Sequence, residues 1–324
     1  MQVTLKEIAA RTGLSISVVS RALNPMPDKN ARVSEKTRAL VMAAASELQF
    51  RPNRAAQSLK RGKSPALGIF LPEYSNRLIA DMVIGMSEIA SAEGVPLSFH
   101  FGLTPASYED FFRQVRAEAH SGLITYPYAW FKDDVLASKI SDYHRRGGAV
   151  LMLNTQEAVP GIPIVSIDDR MGGELAAQHL LSRGCEAFLS FPRFSLRTEA
   201  FTAVLRGAGY SPQIFESPED IAPACQCLRK KKKRKIGIFA TTDRDALKLI
   251  PILRRDAWTL AHDAFLVGYD DLCLSDVCDP PLTTIHQPFR EEGRIAIRKL
   301  LRLLEGQKEE SAMLKPSLIV RQTT

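Results

Sequence analysis

From residue 66 onward, short apolar runs alternate with longer stretches whose apolar positions recur at helical spacing. Runs 66–71, 96–101, 122–126 and 149–153 read as strands, and 79–91, 108–119 and 134–145 as the helices between them. The alternation then begins again. Strands are expected over 165–168, 187–191, 236–240 and 265–269, with helices over 170–181, 197–207, 246–254 and 289–304, and a last strand over 317–320. Strands that alternate with helices in this way form a parallel, doubly wound sheet covered on both faces. Two such series predict two α/β halves. Ligands of open α/β sheets collect outside the carboxyl ends of the strands, so a cleft between the halves is the natural small-molecule site.

The first 60 residues follow another rule. Thr4-Leu5-Lys6-Glu7 is a capping box that starts a helix with Leu5, Ile8 and Ala9 on one face. Gly13 ends it, and Ser15 can cap a second helix, 16–23, whose Val18, Val19 and Ala22 are available to a core. Helix, short glycine turn, helix is the outline of a helix-turn-helix, which lays its second helix in the DNA major groove. A third helix starts near Ser34 with Thr37, Leu40, Val41, Ala44, Ala45 and Leu48 as its apolar stripe. Pro52 follows, and Asn53 can cap a very short helix from Arg54 to Leu59. So few residues do not hold a helix alone. This segment is expected to order only against a twin copy and DNA. Residues 60–65 then form a polar linker.

Charge follows the same division. Residues 1–63 hold 12 Lys/Arg against 4 Asp/Glu, and the rest 31 against 32. The whole positive excess sits on the segment that reads as a DNA binder, as a polyanion partner requires.

Two stretches, VTLKEIAARTGLSISVVSRALN and VSEKTRALVMAAASELQFRPNRAAQSL, resemble the DNA-binding domain of the lac repressor (LacI/GalR) family nearly position for position. The loop between them, 25–32, is about four residues longer than that family's, leaving Lys29 and Arg32 near phosphates. Looser matches continue through Gly268-Tyr269-Asp270-Asp271, Pro280-Pro281-Leu282-Thr283-Thr284-Ile285 and Arg321-Gln322-Thr323. The resemblance implies a small all-α helix-turn-helix head on an α/β periplasmic-binding-protein-like core of two doubly wound parallel-sheet subdomains. The boundaries would be 1–50 for the head, 51–65 for hinge helix and linker, and 66–324 for the effector-binding and dimerisation core. Within that core, 66–161 and 287–316 would form one half, 162–286 and 317–324 the other. The chain would cross between them near 162 and 287.

The resemblance also implies roles. Ile16, Ser17 and Arg21 would read bases, with Arg suited to guanine, Ser to several bases and Ile to a thymine methyl. A packing role for Ile16 is the alternative. Thr4, Ser15, Ser20, Asn24 and Asn53 would hold phosphates and set register. Arg54 would open the hinge helix, and Leu59 would wedge a minor-groove base step. In the cleft, Arg197, Asp243, Asp270, Gln287 and Phe289 would bind the effector, with Asp168 beside them. Carboxylates accept from hydroxyls, Arg donates in a fork, and a ring covers an apolar sugar face. The family's Asn-Pro-Phe-Phe stretch is here Asn76-Arg77-Leu78-Ile79. Asn76 and Arg77 would lie at the cleft mouth, where Arg77 could favour a uronate or sugar phosphate. Tyr126, Tyr128 and Trp130 could supply aromatic surface instead.

Together these readings predict a cytoplasmic homodimer that represses transcription, binding a pseudo-palindromic double-stranded operator under control of a carbohydrate-derived effector. No membrane, metal or cofactor is expected. The five cysteines are odd in number and lack zinc-ligand spacing, so idle thiols are expected. The basic run 229–235 reads as a solvated loop. Two other assignments remain open: a DNA-binding regulator with a ligand-free core, or a solute-binding protein of the same fold. An enzyme is disfavoured, because no G-x-G-x-x-G, P-loop or G-x-S-x-G motif occurs.

Overall fold

The computed structural model describes residues 4–23, 33–48, 50, 64–73, 77–117, 120–127, 134–155, 158–191, 195–217, 220–230 and 235–324. The chain divides into two compact units, Met1–Lys60 and Arg61–Thr324.

In the first unit α1 spans Leu5–Thr12, α2 Ile16–Leu23 and α3 Glu35–Glu47. The backbone N–H and hydroxyl of Thr4 both donate to Glu7 Oε2, at 2.6 and 2.9 Å. Gly13 leaves α1 at φ 68°, a left-handed stop that a side chain would strain. Ser34 Oγ accepts from Thr37 N and so caps α3. Ile8, Ala9, Val19, Ala22, Val41, Ala44 and Ala45 form the core. Val18 is only half-buried, and Leu40 lies outside this core at 51% exposure. The stripe of α3 is therefore narrower than its apolar positions suggest. Short neighbouring helices cover only the Val41–Ala44–Ala45 edge.

The second unit contains two six-stranded sheets. The first joins β1 (Ser64–Leu71), β2 (Leu97–Phe101), β3 (His120–Thr125), β4 (Ala149–Leu153), β5 (Ile164–Ile167) and β11 (Ala312–Leu314), in the order β11-β5-β4-β3-β1-β2. All its pairings are parallel. The second joins β6 (Ala187–Ser190), β7 (Gln213–Ile214), β8 (Ile236–Phe239), β9 (Ala264–Asp270), β10 (Thr283–His286) and β12 (Ser317–Ile319), in the order β12-β10-β9-β8-β6-β7. Only β12 runs antiparallel.

Strand alternation sends neighbouring side chains to opposite layers. Leu67, Ile69 and Leu71 of β1 meet α4 (Arg77–Ala92) and α11 (Phe289–Leu304), while Phe70 meets α5 (Pro105–Ala117). The helix α6 (Asp134–Arg145) adds Ile140 to that second layer. In the other half, Phe265, Val267 and Tyr269 face α7 (Asp169–Ser182) and α8 (Ser195–Gly207). Ala264 and Leu266 face α9 (Ile221–Lys230) and α10 (Asp243–Arg255).

The chain passes between the halves three times: after β5, after β10, and between β11 and β12. Because β5 pairs with β4 and β11, the first passage falls at Asp168, not near 162. Leu314 O accepts from Asp168 N at 2.9 Å, so the first and third passages are hydrogen-bonded at the seam.

Candidate DNA-reading surface and ligand cleft

On the head, α2 turns Val19 and Ala22 inward and leaves Ile16, Ser17 and Arg21 exposed. Ile16 stays 49% exposed outside the core, against a packing role. Ser15 Oγ accepts from Val18 N at 3.4 Å and shares a hydrogen bond with Ser17 Oγ, so it caps α2. Arg21 Nε donates to Ser17 O at 3.1 Å, which holds the guanidinium along the helix. Ser20 is half-buried. Asn24, Asn53, Arg54, Leu59 and the expected hinge helix lie outside the described residues, as do Lys29 and Arg32.

Between the two halves of the core lies a cleft of about 850 Å³. Its polar lining comes from strand ends: Tyr126 after β3, Asn154 after β4, Asp168 after β5, Thr242 after β8, Asp270 closing β9 and Gln287 after β10. This is where open α/β sheets present ligand groups. Leu78, Ile79, Phe289 and Met313 supply apolar surface from the first half.

Arg197 is the centre of the second half's wall, its side chain 7% exposed. Its Nε donates to Asp169 Oδ1 and its Nη1 to Thr241 O, both at 2.8 Å, and Nη1 lies 3.6 Å from Asp270 Oδ1. The guanidinium stacks 3.6 Å from the centre of the Tyr269 ring, and the Tyr269 hydroxyl donates to Asp169. Burial alone would lower the Arg197 pKa; Asp169, Tyr269 and Asp270 together raise it. Gln287 Nε2 donates to Asp270 Oδ1 at 2.8 Å. Burial pushes the Asp270 carboxyl up to about 8, with Arg197 pulling the other way. Asp270 and Asp271 both adopt positive φ, 118° and 53°. Such backbone persists only where the surroundings fix it, and here Gln287, Arg197 and Arg321 do so.

Asp270, Gln287, Phe289, Arg197 and Asp168 thus share the cleft. Asp168 also caps α7, accepting from Met171 N at 2.9 Å. Two expected residues do not join them. Asp243 is fully buried, and its oxygens accept from Leu272 N, Ser275 Oγ and Thr284 Oγ1 at 2.5–2.8 Å. It fixes the loop after β9, while its neighbours Thr242 and Arg244 reach the cleft. Arg77 pairs with Asp81 one turn along α4 at 3.1 Å and does not line the cleft. Asn76, Tyr128 and Trp130 lie outside the described residues; Tyr126 does line the cleft. Sequence reasoning missed Asp169 and Tyr269. The only signal was Asp169 beside Asp168 at a helix start, where a carboxylate has a second, dipole-related reason to be.

Of the basic run, Arg229 and Lys230 close α9, and Lys235 sits 5.4 Å over the Phe265 ring; 231–234 lie outside the described residues. Among the described residues no His/Cys/Asp/Glu group could hold a metal, and no helix is long and apolar enough to cross a membrane.

The profile of bacterial regulatory proteins of the lacI family matches residues 4–53, and that of a periplasmic binding protein-like domain matches 177–324. The ribose operon repressor of Bacillus subtilis (strain 168) is 27% identical over 337 residues, covering 99% of this chain and 98% of that protein. The HTH-type transcriptional repressor PurR of Vibrio vulnificus (strain CMCP6) is 26% identical over 346 residues, with 99% and 98% covered. A lac repressor dimer bound to operator and the anti-inducer ONPF superposes with TM-score 0.67 at 25% identity, covering 100% of this chain and 99% of that one. Reading helix, two-sheet core and strand-end cleft thus stand in one chain that joins the DNA-binding domain of lacI-family bacterial regulatory proteins to a periplasmic binding protein-like domain.

Proposed function

We propose that this chain is a homodimeric, sequence-specific repressor whose hold on a pseudo-palindromic operator is set by a small hydroxyl-rich effector bound between the two core halves. The observation that carries this reading is the buried Arg197–Asp270–Gln287 constellation at the strand ends of an 850 Å³ cleft, on a chain that also exposes a reading helix. A forked donor beside carboxyl acceptors suits vicinal hydroxyls. The ribose operon repressor among the relatives supports a carbohydrate-derived ligand, and the operator-bound lac repressor dimer supports the paired heads. Effector that favours one setting of the halves shifts the population competent to pair on DNA. The cleft acts here as a sensor with no reaction of its own.

Base reading is assigned to Ile16, Ser17 and Arg21, and phosphate contact to Thr4, Ser15, Ser20, Asn24 and Asn53. Leu59, at the end of the segment opened by Arg54, wedges the centre of the operator. Fluorescence anisotropy on a palindromic duplex with a central CG step, competed by random duplex, tests the assignment. Arg21→Ala should weaken operator binding by ~1–3 kcal/mol and relax one operator position; equal losses on random duplex would reduce Arg21 to a phosphate contact. Leu59→Ala should lower operator affinity while sedimentation still reports a dimer, and unchanged affinity would remove the wedge. A wild-type monomer with no preference between the duplexes would end the whole reading.

A further inference from the structure

One wall of the cleft conceals a carboxyl that these contacts leave unused. Glu292 lies in the first turn of α11, three residues beyond Phe289, and is completely buried. Neither of its carboxyl oxygens has a hydrogen-bond partner among the described residues, and the same is true of Asn154 Nδ2. The Asn154 carboxamide is close enough to pull the Glu292 carboxyl down as a hydrogen-bond donor does, yet its amide nitrogen does not meet the geometry of a formed bond. The titratable groups facing Glu292 are Tyr126, beyond β3, and Asp169, opening α7. Tyr126, Asn154, Asp169 and Phe289 all line the cleft, so Glu292 stands immediately behind its wall.

A buried polar group without a partner costs roughly 1–3 kcal/mol, so two side by side mark a place that something else completes. The two are complementary. Asn154 Nδ2 can only donate, and a Glu292 carboxylate can only accept. A hydroxyl answers both at once. An ammonium would leave the amide unpaired, and a carboxylate or phosphate would be repelled by Glu292 in its carboxylate form.

We propose that Asn154 and Glu292 together receive one neutral hydroxyl of the effector, which makes Glu292 a specificity-determining residue for uncharged polyols over their amino and anionic analogues. This rests on the cleft being the effector site. Asn154 Nδ2 donates to the hydroxyl oxygen, and the hydroxyl donates to Glu292. Burial holds the Glu292 carboxyl up to about 8, so in the free protein it is mainly protonated at neutral pH. Accepting from the ligand favours the carboxylate, and the displaced proton passes to solvent as the ligand binds. Tyr126 does not supply that proton, because burial raises its phenol above its ordinary value.

The test uses the full chain. Thermal shift and operator release are measured with ribose, xylose, glucose, glucosamine, glucuronate and ribose 5-phosphate. Calorimetry of the best ligand at pH 7, in two buffers of unlike ionisation enthalpy, then compares wild type with Glu292→Gln and Glu292→Leu. A neutral sugar should bind best, and wild type should release up to one proton. Glu292→Gln should release none and keep affinity within about threefold, since its amide oxygen still accepts. Glu292→Leu should lose at least about tenfold. Buffer-independent heat in wild type, wild-type affinity in the leucine variant, or a preference for glucuronate, glucosamine or the phosphate would overturn the assignment and leave the cleft reading standing. No response of wild type to any of the six in either assay would remove the cleft reading, and this assignment with it.

Discussion

Arg197→Leu should abolish the response to effector and lower the melting temperature of the core by roughly 10 °C. Arg197 is the shared donor of Asp169, Asp270 and the Thr241 carbonyl, and it covers the face of Tyr269. Leucine keeps much of the volume but leaves the acids without their cation. Removing one partner of a buried ion pair typically costs about 3–5 kcal/mol, because the remaining charge is stranded. The sign of the pH dependence follows. Asp270 is already raised by burial, so the folded state holds its proton up to about pH 8. Without Arg197 it holds that proton still more tightly, and the folded variant binds more protons than its unfolded chain over a wider range. Stability then falls more steeply as pH rises. The gap between variant and wild type should therefore be smaller at pH 5 than at pH 8 in thermal melts. A gap of the same size at both pH values would show that the stacking on Tyr269, not the charge, is what Arg197 contributes.

Gly293→Ala should be nearly as damaging, for a purely steric reason. A Cβ on Gly293 would stand 2.3 Å from the Met82 carbonyl oxygen, and one on Gly85 would stand 1.9 Å from that of Arg290. Each glycine therefore lets α4 and α11 approach backbone to backbone, and no side chain can step aside. Outside this contact Glu88 accepts from both Arg290 and Arg294, the latter at 2.7 Å, and ties the helices together. Overpacking costs typically 1–3 kcal/mol, and a clash with backbone belongs at the upper end. α11 also carries Phe289 and Glu292, so the methyl should weaken ligand binding as well as stability. Denaturant melts and calorimetry check both. Wild-type stability in Gly293→Ala would mean that the helices separate at little cost.

These two sites mark what the sequence can and cannot convey. Local rules announced the capping box of Thr4 and Glu7, the stop at Gly13 and the strand–helix alternation, because each depends on residues a few positions apart. The two-residue β7, the three-residue β11 and the helix α9 escaped notice, since they are too short or too polar to carry a clear period. Asp243 was misjudged because its chemistry suits a sugar as well as it suits Leu272, Ser275 and Thr284, and only the folded loop decides between them. Leu40 was misjudged because an apolar residue at helical spacing need not find a neighbour. Asp169 and Tyr269 meet Arg197 across 28 and 72 residues of chain, a separation that no local pattern reports.

The three passages of the chain between its sheets have a mechanical meaning. Each is a strap only a few residues long, and two of them are stitched to each other through Asp168 and Leu314. Lobes joined by three short straps can swing, but they cannot slide far past each other. Whatever enters the gap is thereby translated into a single angle between the two lobes.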